Sequence, residues 1–142
     1  MKGKFISLPH STLAFILGIP RTGIQCYTTN SWVQFEGYDP LESIRQICGN
    51  PNIEELSRPK IADLTLESRL IHHIIAHNIL PRSGSYEYLS YLDAFILWCI
   101  LNKVKLDLAF YILVGTWTLV SKRRMAPSHM VSRSLLFLII LE

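Results

Sequence analysis

A chain of 142 residues with 49% hydrophobic content and a mean hydropathy of +0.26 has room for one domain with a modest core, and not for several. Its three cysteines, Cys26, Cys48 and Cys99, are widely spaced and form no CxxC pair, which excludes a zinc knuckle and a dithiol redox motif and fits a reduced intracellular setting, nucleus or cytoplasm. The net charge of +3 is uneven: ten Lys/Arg balance ten Asp/Glu up to Ile112, and four cations face one anion after it, so any attraction to a polyanion rests on the last thirty residues alone.

The N-terminal "MKGKFISLPHSTLAFILGIP" begins with cations, but Pro9, His10 and Pro20 break its apolar stretch, so it reads as mature sequence rather than a signal peptide. Ser11 or Thr12 is placed to cap a short helix over "LAFIL", closed by Gly18 and Pro20. The β-branched and aromatic residues of 23–38 flank the turn-like Thr29-Asn30-Ser31, which predicts a short β-hairpin. Asp39-Pro40 then gives an N-cap with proline at the first helical position. Glu42 completes a box-like start, and Gly49 ends the helix.

The strongest helical pattern runs over 66–79. Leu66, Leu70, Ile74 and Asn78 recur at i+4 beside Ile71, Ile75 and Ile79, predicting one wide apolar stripe, with Asp63 as a candidate cap. Pro81 stops it. Ser85 is placed to cap a second helix over 86–102, and the two helices are expected to pack as an antiparallel pair. The expected fold is therefore mainly α, a small helical domain with one short β-hairpin near residues 23–38.

Four groups of residues bear on chemistry. His73 and His77 stand at i,i+4, as two metal ligands on one helix face do. However, Ile74 occupies the place of the glutamate base in HExxH, and sequence places no third ligand, so a polar helix face outweighs a metal centre and no cofactor is expected. Asp39, Asp63, Asp93 and Asp107 are scattered in the manner of caps and solvated carboxylates. No glycine-rich phosphate loop and no nucleophile elbow occur, so neither an enzyme nor a small-molecule substrate is indicated. Arg69 and Arg82 with Tyr86, Tyr88 and Tyr91 are the candidates for stacking on a nucleic-acid strand, set against a body of zero net charge that supplies little phosphate attraction. Leu106–Val120 is the candidate membrane segment, short of the roughly 20 apolar residues a span needs, with Lys122, Arg123 and Arg124 as a cationic flank.

The stretches "KFISLP", "YTTNSWVQFEGYDPLESIRQICGNP" and "LTLESRLIHHIIAHNILPRSGSYEYLSYLDAFILWCILNKVKLDLAFYI" resemble a plant transposon protein domain, a family of proteins derived from mobile elements. The resemblance covers roughly residues 4–112, and the helix–NILPR–turn–helix block is its specific part. It implies no catalytic residue, cofactor or ligand. Beyond Ile112 it stops. Family members continue with wording such as "HMDSCVKKKNGALPYGM"; with suitable synonymous codons, a reading one base later gives "TWTLVSKRRMAPSHMV", which is Thr116 to Val131 here. Residues 1–112 are thus expected to be a partial family domain, and 113–142 a frame-shifted apolar and basic tail. Loss of the normal continuation is expected to leave Leu106, Leu108, Phe110 and Ile112 without their covering, favouring self-association.

The functional expectation is a non-catalytic helical scaffold or interaction module from a plant mobile-element protein, once associated with nucleic acid. A small membrane-associated protein using Leu106–Val120 and the remnant of a metal-dependent nucleic-acid enzyme are the alternatives.

Overall fold

The computed structural model describes residues 9–81 and 85–124. Five α-helices carry the described fold: α1 (His10–Leu17), α2 (Pro40–Cys48), α3 (Leu66–Ile74), α4 (Tyr91–Leu101) and α5 (Leu108–Arg124). A 3-10 turn (Ile61–Asp63) precedes α3, and a π-helical segment (Ile75–Ile79) extends it.

The start and stop signals act as their chemistry dictates for α2. Asp39 Oδ1 accepts the Leu41 and Glu42 amides at 2.8 and 3.3 Å, and Pro40 fills the first position, where no amide hydrogen is needed. Gly49 closes the helix at φ 64°. Glu42 turns to the Arg45 guanidinium rather than back to the cap. The other caps correct the sequence-based expectations. Pro9, not Ser11 or Thr12, precedes the first turn of α1, with no side-chain cap bond. Thr65, not Asp63, caps α3 through its hydroxyl and the Ser68 amide, because Thr65 is extended directly before the helix while Asp63 belongs to the preceding 3-10 turn. Ser90, not Ser85, caps α4, accepting the Asp93 amide at 3.0 Å. The second helix therefore starts five residues later than expected. Residues 86–90 are extended instead, with Ile61 N donating to Glu87 O and Leu89 N to Pro59 O around an antiparallel bridge between Lys60 and Tyr88.

The expected hairpin at 23–38 does not form; no strand occurs among the described residues. The segment crosses the body as a single strap. Ile24 makes an isolated parallel bridge to Leu106, and Thr28 Oγ1 donates to Ser31 O across the turn. The physical reason lies in where the aromatic side chains find burial. Trp32 packs edge-on against Tyr91, Phe35 and Tyr38 against Phe95, and Tyr38 against Trp98, so α4 supplies the contacts that a partner strand would have offered.

Helix α4 is the centre of the core. Leu92, Ala94, Phe95, Ile96, Leu97 and Cys99 are buried on every side of it, as expected of a helix that is apolar all round. Helices α2 and α3 pack on it, joined by Ile44, Ile47 and Ile75. Asp107, itself buried, starts α5: its Oδ1 accepts the Phe110 amide at 3.2 Å and its Oδ2 accepts Gln25 Nε2 at 2.7 Å, fixing the strap to the helix.

Helix α5 runs unbroken across the Ile112–Leu113 boundary. Ala109, Phe110, Tyr111 and Val114 are buried, and Gly115 approaches the Ile79 carbonyl so closely that a Cβ there would lie 2.6 Å from it. Phe110, expected to be uncovered, is enclosed with His10 of α1 edge-on to it, whereas Leu108 is partly exposed. Among the described residues no helix is long and apolar enough to cross a membrane. Most of the candidate segment Leu106–Val120 forms the first part of α5, and its buried residues pack into the protein body. Residues 125–142 lie outside the described residues.

Candidate interaction face and histidine cleft

Helix α3 is amphipathic in an unexpected sense. Its three i,i+4 apolar residues point outward: Leu66, Leu70 and Ile74 are 70, 60 and 56% exposed. Its inward edge carries Ser68 and His72, both buried, followed by Ile75 and Ala76. The expected stripe therefore divides. Ile75 enters the core and Ile71 and Ile79 pack partly against it, while the Leu66–Leu70–Ile74 row faces water.

Ser68 and His72 are tolerated inside because each finds a partner. Thr65 Oγ1 donates to Ser68 Oγ at 2.9 Å, and His72 Nε2 lies 3.3 Å from Asp93 Oδ2 on α4. Left unpaired, such groups would each cost a few kcal/mol at this depth.

Beside this face lies a cleft of about 470 Å³, with a largely apolar lining. Ile61, Leu70 and Ala76 line it with Arg69, His72, His73, His77 and Tyr86. The His73 and His77 rings are 4.2 Å apart at their centroids, and Tyr86 stacks on His77 at 5.6 Å. The π-helical segment begins between these two histidines, closed by a Leu80 N to Ile75 O bond of 2.8 Å.

The residues singled out for nucleic acid are dispersed. The Arg69 guanidinium donates to the Ala62 and Leu64 carbonyls at 3.1 and 3.3 Å, which ties the 3-10 turn to α3. Tyr86 belongs to the histidine cleft, and Arg82 lies outside the described residues. A different cationic and aromatic group assembles instead: Arg58 lies over Tyr91 at 5.3 Å and over Tyr88 at 6.0 Å, and Lys60 over Tyr88 at 5.6 Å. Spacing along the sequence does not pair Arg58 and Lys60 with tyrosines 28 to 33 residues away; the bridge between Lys60 and Tyr88 joins the two segments.

Among the described residues no group of three or more potential metal ligands converges. The cysteines do not offer a ready thiolate: burial pushes the Cys99 thiol up to about 12 and raises those of Cys26 and Cys48.

No protein-family model, curated protein or solved structure matches this chain.

Proposed function

We propose that this chain is a non-catalytic helical interaction module, a piece of a mobile-element protein of the kind its resemblance over residues 4–112 implies. The observation that carries the reading is the outer row of α3: Leu66, Leu70 and Ile74 stand in water while the same helix keeps Ser68 and His72 inside. A helix under no constraint but folding stability gains by exchanging these, since burying one such aliphatic side chain contributes about 1.5–3 kcal/mol. An apolar row held outward on an ordered helix supports a docking role, the helix-in-groove mode of recognition.

A photo-crosslinking amino acid in place of Leu70, in cells expressing the chain, tests this. Adducts with a partner protein or a second copy are expected at 70 and not at the exposed control position Glu55. They should be lost when Leu66 and Ile74 are both changed to Lys. Equal labelling at both positions, or none at 70, contradicts the reading.

The Arg58, Lys60, Tyr88 and Tyr91 group favours nucleic-acid association as a second reading, since aromatic faces beside cations stack bases and neutralise phosphate. Binding of a fluorescent single-stranded oligonucleotide that weakens with salt and drops at least tenfold in Arg58→Ala/Lys60→Ala supports it. Binding that is unchanged in that variant removes it.

A further inference from the structure

The i,i+4 spacing of His73 and His77 alone distinguishes a ligand pair poorly from a polar helix face. The ring geometry adds what spacing lacks. Both side chains are exposed, and among the described residues neither imidazole has a hydrogen-bond partner in the protein, so their nitrogen lone pairs are not committed to other groups. The ring centroids lie 4.2 Å apart, with the planes tilted by 52°. With metal–nitrogen bonds of about 2.0–2.1 Å, two imidazoles at this separation are close enough for one ion to take a nitrogen from each.

Tyr86 stacks on His77, and the backbone between the two histidines passes from α-helical to π-helical hydrogen bonding, a local irregularity that recurs at binding sites. Arg69, the arginine among the lining residues of the cleft, is turned to the Ala62 and Leu64 carbonyls. The apolar walls contributed by Leu70 and Ala76 leave the remaining coordination positions to water or to a ligand in the cleft.

We propose that His73 and His77 form a two-imidazole site for a divalent transition-metal ion, Cu²⁺ ahead of Ni²⁺ and Zn²⁺, at the mouth of the cleft between α3 and Tyr86. Imidazole ligands suit these ions, and the order of affinity for nitrogen donors places copper first. The site is open, with the protein supplying two adjacent positions. The proposal is independent of the docking role of Leu66, Leu70 and Ile74, which needs no metal.

The test uses the full chain without an affinity tag, titrated calorimetrically with CuCl₂ and with NiCl₂, beside His73→Ala, His77→Ala and the double variant. All three variants carry changes at exposed positions and are checked for unchanged helical circular dichroism, with His73→Gln as a second substitution. The expected result is one metal equivalent in the wild type, weakened at least tenfold in each single variant and absent in the double. Saturating Ni²⁺ is expected to raise the unfolding midpoint of the wild type only. The Cu²⁺ electron paramagnetic resonance spectrum is expected to show two equatorial imidazole nitrogens. An equivalent retained in the double variant, or a spectrum from a single imidazole that persists in His77→Ala, overturns the proposal.

Discussion

His72 Nε2 lies 3.3 Å from Asp93 Oδ2, and both side chains are almost entirely removed from water. This contact joins α3 to the first turn of α4, and it explains how α3 can present a polar edge to the core. Removing His72 takes a buried hydrogen-bonding contact from Asp93 and leaves a cavity between α3 and α4, at a cost of about 2–4 kcal/mol. His72→Ala is therefore expected to lower the unfolding free energy by about 3 kcal/mol in urea titration. The double variant with Asp93→Ala should lose less than the two single changes added together, by at least about 1 kcal/mol, since the residues are in contact.

The caps of α2 and α3 are set by Asp39 and Thr65. Asp39→Ala and Thr65→Ala are each expected to cost about 1 kcal/mol. Asp63→Ala, at the residue that sequence proposed for α3, should stay within about 0.5 kcal/mol, as surface changes do. Denaturant midpoints at a constant m-value measure all three.

Gly115 tests whether α5 packs as one body across Ile112 and Leu113. An added Cβ would meet the Ile79 carbonyl oxygen at 2.6 Å and the Leu80 Cα at 3.0 Å, and both are backbone atoms that cannot turn aside. Gly115→Ala is expected to destabilise the protein by about 1–3 kcal/mol in spite of alanine's better helix propensity. A stabilised variant in thermal melting would mean that α5 does not lie against Ile79 and Leu80.

Stability should fall in alkali. Burial pushes the Tyr38 phenol up to about 12, the nearby Ser43 hydroxyl tempering that rise without a well-formed bond, and burial likewise raises Tyr111 and lifts Cys99 to about 12. In each case the neutral form is the protonated one, and the folded state holds its proton to higher pH than the unfolded chain. The stabilisation is whole below the unfolded values near 9 for thiol and 10 for phenol, and it is lost as pH rises towards the folded values. Melting temperature is expected to hold to about pH 9 and to fall steeply from there to pH 12. Tyr38→Phe should flatten part of that fall.

Legibility from sequence followed the range of the interactions. Asp39-Pro40 and Gly49 mark α2 because caps and left-handed closures involve neighbours a few residues apart. The 23–38 segment departs from the expected hairpin because β-branched and aromatic residues fit a strand and an aromatic strap equally; the choice is made by Phe95 and Trp98, some sixty residues away. The apolar row of α3 was found, but periodicity does not say which side faces inward. The inward side was decided by Asp93, which gives His72 a partner, and by Thr65, which gives one to Ser68. Of the candidate residues, His73 and His77 do stand together, as the i,i+4 spacing suggested, whereas Arg69 serves local backbone and Tyr88 and Tyr91 answer to Arg58 and Lys60.

The orientation of α3 is tested most directly by Leu66→Lys/Leu70→Lys/Ile74→Lys, compared with Ile75→Ala in chemical denaturation. With the row in water, the triple lysine variant is expected to keep its unfolding free energy within about 1 kcal/mol, while Ile75→Ala, in the core, loses about 2–5 kcal/mol. A triple variant that unfolds, beside an Ile75→Ala that is barely affected, would mean that Leu66, Leu70 and Ile74 face the core.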